Sequence, residues 1–374
     1  MKRSDIPEVR RAVIKLGSRV LVSGDRIDAA RLGRLVDEIA ALRKRGLEVA
    51  VVTSGAVASG RSRLGLKEKP KTIPLKQATA AVGQSLLMHS YGQEFGRHGL
   101  VTGQVLITQQ VVSNRQLYLN ARNTLETLFE LGVVPVINEN DTVSVEEIKF
   151  GDNDRLSAIV AGLLQAQLLV ILTDVDGLYD QNPNEHPDAR RIGEVSQITD
   201  SLKGLAGGTS SEVGLGGMKT KLDAAETGTR GGAAVVIASG IREGVLSRVF
   251  AGEDEGTFFA PDEKGMSRRR HWIAHTLQPK GELVLDAGAT QALRGGKKSL
   301  LPAGVREVRG EFDPGDCVKC LAPDGREFAR GIVAYGSRDA ARIAGRKTEE
   351  IEKLLGYRDV DELIHRDDLV ILNG

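Results

Sequence analysis

Polar residues capable of chemistry collect directly after short apolar runs in this sequence. They are Lys15-Leu16-Gly17-Ser18, Thr53-Ser54-Gly55, Asn138-Glu139-Asn140-Asp141, Thr173-Asp174 and Ser239-Gly240. Together they offer an ammonium, carboxylates, amides and hydroxyls, the groups that hold a small charged molecule. Turn formation explains Gly, Asn or Asp after a strand. It does not explain a lysine inside an apolar run, because a buried ammonium needs a partner, nor the density of the NEND run. A shared ligand crevice follows. Two glycine-rich segments add backbone donors. GAVASGRS (55–62) has P-loop spacing, but Arg61 stands where the phosphate-binding lysine belongs, which argues against a Walker site. Its glycines could still bring N–H groups to an anion at a helix start. GLGGMKTK (214–221) pairs close backbone approach with Lys219 and Lys221; a plain surface loop accounts for it equally well on these residues alone.

Something must hold those clusters together. The β-branched runs AVIKL (12–16), EVAVVT (48–53), VVPVIN (133–138), LLVILT (168–173) and AAVVIA (233–238) read as strands alternating with amphipathic stretches. That is the pattern of a parallel sheet covered by helices on both faces. Between the first two, Asp28 is placed to cap a helix with Leu32, Leu35, Val36, Ile39 and Leu42 at helical spacing and Gly46 as its stop. In open α/β sheets ligands bind outside the carboxyl ends of the strands, where the polar clusters sit. From Met266 the text turns basic and irregular. Beyond it, GELVLD, a PDG turn at 323–325 and FARGIVAYG read as a small β-rich domain, and TEEIEKLLG (348–356) as a short helix. The expected division is therefore 1–262, a linker at 263–279, and 280–374.

With 51 Lys plus Arg against 50 Asp plus Glu, no global field draws the chain to nucleic acid or an anionic membrane. Aromatic residues are sparse, which weakens any case for base stacking. The opening residues lack an apolar signal stretch and the longest apolar runs are short, so a cytoplasmic location is expected. Cys317 and Cys320, the two cysteines, have half-zinc or redox spacing without a second pair, so packing in a strand is the better reading. The run Arg268-Arg269-Arg270-His271 reads as a solvated linker face rather than a nucleic-acid contact.

The ordered set IKLGS, VVTSGAVASGR, VPVINENDTV, GDNDRLSA, LLTDVDGLY and GLGGMKTK resembles the motifs of the amino-acid kinase superfamily. Within it, the NENDTV and GDNDRLSA pair resembles the glutamate 5-kinase family, and residues 280 to about 355 resemble a PUA domain. The resemblance implies an amino-acid kinase fold, an open, mostly parallel sheet between helices, followed by a PUA pseudo-barrel. It implies ATP-dependent phosphorylation of the glutamate γ-carboxylate, opening proline biosynthesis. A carboxylate with a reference pKa of about 4.3 is already ionised, so no general base is required. The protein must position two anions and offset their repulsion. Lys15 and Lys221 are the candidates for that role, with Asp154 similar to the residue that holds both; Asp154 as a helix N-terminal residue favoured by the dipole is compatible with the same job.

The resemblance further places Asp141 and Asn153 on glutamate, with Ser54 and the Gly55 backbone meeting a carboxylate. It places Lys15, Thr173, Asp174 and the stretch Leu215, Gly216, Gly217, Met218, Lys219, Thr220 and Lys221 on ATP. Leu215 departs from the usual Thr. Magnesium is expected to travel with the ATP phosphates, and no metal ligand is assigned. The labile acyl phosphate implies a separate glutamyl phosphate reductase, since no reductase domain follows. Proline as feedback inhibitor and a homo-oligomer are further implications. A kinase for acetylglutamate, aspartate, carbamate or uridylate is the alternative within the fold. RNA binding through the PUA domain is the alternative outside it, although 16 Lys plus Arg against 17 Asp plus Glu from Lys280 to Gly374, a net of −1, disfavours a general RNA site.

Overall fold

A computed structural model describes all residues except 25, 109–110, 112–114, 144–152, 184, 207–216, 263–278, 296–297 and 373–374. The described residues form two compact units, Met1–Ser113 with Thr124–Gly265, and Asn114–Asn123 with Met266–Gly374.

The first unit is built on an eight-stranded sheet. Its strands are β1 (Arg11–Leu16), β4 (Glu48–Val52), β5 (Thr102–Ile107), β6 (Val134–Glu139), β7 (Leu168–Thr173), β8 (Glu194–Val195), β9 (Ala234–Ser239) and β10 (Thr257–Phe259), in the order β5-β6-β4-β1-β7-β9-β10-β8. A separate two-stranded ribbon holds β2 (Val22–Ser23) and β3 (Arg26–Ile27). All neighbours in the large sheet run parallel except β9 and β10. The central strands β1, β7 and β9 are buried on both faces, which is why they read as unbroken apolar runs. Each fully buried Ile, Val or Leu there contributes roughly 1.5–3 kcal/mol.

Five strands lie within a residue of the sequence-based bounds. β5 was not anticipated: at the sheet edge its side chains are only partly covered, so its apolar signal is weak. Helix α2 (Ala29–Lys44), which follows the short α1 (Ser18–Leu21), starts as expected, with the Asp28 carboxylate accepting from the Arg31 N–H at 3.0 Å. Its buried face carries Leu32, Leu35, Val36, Ile39 and Leu42, and the chain turns away at Gly46 with φ 86°. The remaining helices of this unit are α3 (Ala56–Arg63), α4 (Ile73–Gly96), α6 (Asn153–Leu163), α7 (Asp200–Ala206), α8 (Met218–Arg230) and α9 (Val245–Phe250). Helix α5 (Arg115–Glu130) divides, its first residues grouping with the second unit.

The second unit holds a five-stranded sheet in the order β12 (Val305–Gly310), β11 (Gly281–Leu285), β13 (Cys317–Leu321), β14 (Glu327–Ile332), β15 (Leu369–Ile371). Leu283, Leu285, Val318, Cys320, Phe328 and Tyr335 are part of its core. Both cysteines are buried free thiols, and burial pushes the Cys317 thiol up to about 11. A thiol held protonated in a core packs rather than reacts. Residues 348–356 form a 3-10 turn and the short helix Ile351–Leu355, closed by Gly356 at φ 85°. The basic run 268–271 lies outside the described residues.

Candidate active site

Lys15 is the penultimate residue of β1, paired in register with Val52 of β4 and Ile171 of β7. It is 4% exposed, and Lys221, in the first turns of α8, is 5% exposed. Two ammonium groups at that depth require a counter-charge. Asp154, fully buried in the first turn of α6, supplies it: one carboxylate oxygen pairs with Lys15 Nζ and the other with Lys221 Nζ at 3.1 Å. The two ammonium groups thus share one carboxylate. Thr220 Oγ1 donates to the Gly217 carbonyl at 2.8 Å, holding the turn that presents Lys221.

On the β4 and β6 side, Gly55 takes φ 106°, a left-handed conformation that favours glycine, and starts α3. Asn153, the first residue of α6, turns its Nδ2 toward the Thr53 carbonyl at 2.6 Å, Ser54 Oγ at 3.0 Å and Asn138 Oδ1 at 2.9 Å. Three segments distant in sequence are thereby tied at one amide. The buried Tyr91 hydroxyl lies 2.8 Å from Thr53 Oγ1 and pins the same strand end from α4. Asp141, two residues beyond β6, behaves differently. Burial pushes its carboxyl up to about 6, and among the described residues it has no cation or hydrogen-bond donor. An acid that is desolvated without a partner is the state expected where a ligand cation belongs.

On the β7 side, Thr173 is buried and its Oγ1 donates to Asp174 Oδ1 at 3.0 Å. Partial burial works against ionisation of Asp174, but the hydrogen bond from Arg19, with its nitrogen 3.0 Å away, prevails and lowers the pKa. Arg19 was not anticipated; its only sequence signal is its place two residues after Gly17. Gly217 caps α8, while Met218, Lys219 and Thr220 occupy its first turn with Lys219 exposed. Leu215 and Gly216 lie outside the described residues. The P-loop spacing of GAVASGRS has another cause. Gly60 lies inside α3, where a Cβ would come within 1.8 Å of the Thr79 carbonyl, so this glycine serves helix packing. A cleft of about 450 Å³ lined by Pro7, Val9, Arg10, Leu47, Glu48 and Phe250 lies at the opposite, amino-terminal ends of β1 and β4.

The amino acid kinase family profile matches residues 10–239, and the PUA domain profile residues 281–355. The chain belongs to the amino acid kinase family. Among its relatives, the glutamate 5-kinase of Trichlorobacter lovleyi is 51% identical over 373 residues, covering 100% of this chain and 99% of that protein. That of Geobacter metallireducens is 51% identical and that of Geobacter sulfurreducens 48% identical, each over 373 residues and covering all of both chains. In this amino acid kinase, every predicted residue within the described set lies at or just beyond the carboxyl end of a sheet strand or in the first turns of α6 or α8.

Proposed function

We propose that the protein transfers the γ-phosphoryl group of ATP to the γ-carboxylate of L-glutamate, giving L-glutamyl 5-phosphate, the first step of proline biosynthesis. Relatives bearing that enzyme name at about half identity over the whole length support the activity. The observation that carries the choice of substrate is Asp141, a desolvated carboxylate with no partner among the described residues, suited to an α-ammonium. An acetylated amine would present no cation to it. That favours glutamate over acetylglutamate, and the missing ammonium charge disfavours carbamate or a uridylate.

The reaction needs charge and alignment. A γ-carboxylate oxygen forms the new bond to phosphorus as the bond to the bridging oxygen breaks, and that electron pair leaves with ADP. Lys15 and Lys221 offset the repulsion of the approaching anions, and Asp154 holds both ammonium groups in place. Ser54 and the N–H groups at the start of α3 receive a substrate carboxylate, and Asn153 with Asp141 the ammonium. Thr173, Asp174 and the 215–221 stretch serve ATP. Magnesium is proposed to arrive on the ATP phosphates, where it screens their charge.

The acyl phosphate must be consumed quickly, so a glutamyl phosphate reductase is the proposed partner, with action in the cytoplasm. No described helix is long and apolar enough to cross a membrane. We further propose that proline inhibits the enzyme and that it forms a homo-oligomer. ADP release should be measured with ATP and magnesium over glutamate, acetylglutamate, aspartate and UMP, with hydroxylamine to trap an acyl phosphate. Glutamate is expected to give turnover and hydroxamate. Equal turnover of acetylglutamate would overturn the assignment.

A further inference from the structure

Helices α3 and α4 touch backbone to backbone. A Cβ on Gly83 would lie 1.8 Å from the Ala56 carbonyl oxygen and 2.4 Å from the Gly60 nitrogen. No side chain fits there, so both helices are held at one separation. The next residue after Gly83 is Gln84, and the crossing delivers its side chain to the end of β6. Gln84 Oε1 accepts from Asn138 Nδ2 at 2.8 Å, and Asn138 Oδ1 accepts from Asn153 Nδ2 at 2.9 Å.

This relay has a direction. The Thr53 carbonyl can only accept, so the Asn153 nitrogen must face it. Asn138 must then show its oxygen to Asn153 and its nitrogen to Gln84, which must answer with oxygen. The consequence is that Gln84 Nε2 is left buried without an acceptor among the described residues. Leaving a buried donor unmade is costly. The amide therefore engages the relay through its oxygen, in the orientation that Asn138 dictates.

We propose that Gln84 is a positioning residue for the acceptor substrate, locking the Asn153 amide and the Ser54 hydroxyl through Asn138. The inference rests on the reading of Ser54 and Asn153 as glutamate contacts. It assigns no contact between Gln84 and substrate. Through the relay, Gln84 governs how well the acceptor is held and leaves the ATP side untouched.

Steady-state kinetics of Q84M, N138A and the double variant test this in the full-length protein. Met is close to Gln in length and volume and lacks a strong acceptor. Q84M is expected to raise KM for glutamate about tenfold, with KM for ATP within twofold of wild type. Because Gln84 acts through Asn138, Q84M in an N138A background should add less than twofold. Should Q84M not fold, Q84A is read by the same ratios. A KM for glutamate within twofold of wild type, an equal rise in KM for ATP, or fully additive effects would each overturn the proposal. Absence of glutamate turnover in the wild type would instead sink the functional reading beneath it.

Discussion

Two carboxylates a short distance apart in sequence, one buried and one half-buried, are treated in opposite ways. Asp154 has no exposed surface and both of its oxygens engage lysines. Asp141 is desolvated enough to be pushed up to about 6 and has no partner among the described residues. The first carboxylate is engaged by this chain's own lysines. The second is left, among the described residues, for a proposed ligand cation. A site for a substrate that carries both an ammonium and carboxylates needs both kinds.

Removing Asp154 should do the greater damage. Asp154→Ala leaves two buried ammonium groups facing each other, and breaking a buried pair costs about 3–5 kcal/mol. The urea midpoint should fall accordingly, and kcat should drop by at least about 10²-fold because both lysines lose their placement. A stable Asp154→Ala protein with normal kcat would erase the distinction between the two carboxylates.

Asp141→Ala should cost affinity and spare the fold. Losing a charge-assisted hydrogen bond of roughly 1.5–3 kcal/mol predicts a rise in KM for glutamate of about 10- to 150-fold. KM for ATP should stay within about twofold, by the same separation of sites. A change confined to the ATP constant would move Asp141 out of the acceptor site.

Acidity sharpens the comparison further. The folded pKa of Asp141 is raised above its ordinary value of 3.8 to about 6. Between those values the folded state binds more protons than the unfolded chain. Stability from this group is therefore fully present below about pH 4, declines as pH rises to about 6, and is flat above. Asp141→Asn should remove that decline in ligand-free melting curves. In kinetics, KM for glutamate should rise about tenfold from pH 7.5 to 5 as Asp141 takes its proton, while the γ-carboxylate, with a reference pKa of about 4.3, stays mostly ionised. A profile identical in wild type and Asp141→Asn would assign the titration elsewhere.

Local patterns made much of this legible beforehand. The buried strands declare themselves because both faces are apolar, and α2 because cap, period and stop agree. The lysine within AVIKL and the density of NEND marked the strand ends as a candidate site. Sequence pattern does not carry emptiness: that Asp141 lacks a partner among the described residues depends on packing from all sides. Nor does it carry the relay from Gln84 to Asn153, whose members lie on α4, β6 and α6 and meet only when Gly60 and Gly83 let two helices touch. The glycines of GAVASGRS show the converse, a spacing that suggests phosphate chemistry where one glycine serves a helix crossing.

The smallest effect is expected from removing the second unit. Truncation after residue 262 retains every residue proposed for chemistry, from Lys15 to Lys221, and all eight strands of the large sheet. Yet residues Asn114–Asn123 group with the second unit, where the buried Arg122 pairs with Asp368 at 2.9 Å and meets His365 Nδ1 at 2.7 Å. Truncation removes both partners, and the start of α5 loses the packing around it. That guanidinium would become solvated rather than remain buried and unpaired, so the cost is lost ordering at one helix end. The truncated protein should therefore melt at a lower temperature and lose amide protection over 115–123, while kcat for glutamate stays within about fivefold, since none of the residues proposed for chemistry belongs to that segment. A soluble, cooperatively folded truncation that is inactive at saturating ATP, magnesium and glutamate would mean that the two carboxylates and their lysines do not suffice, and that the catalytic site extends beyond the first unit.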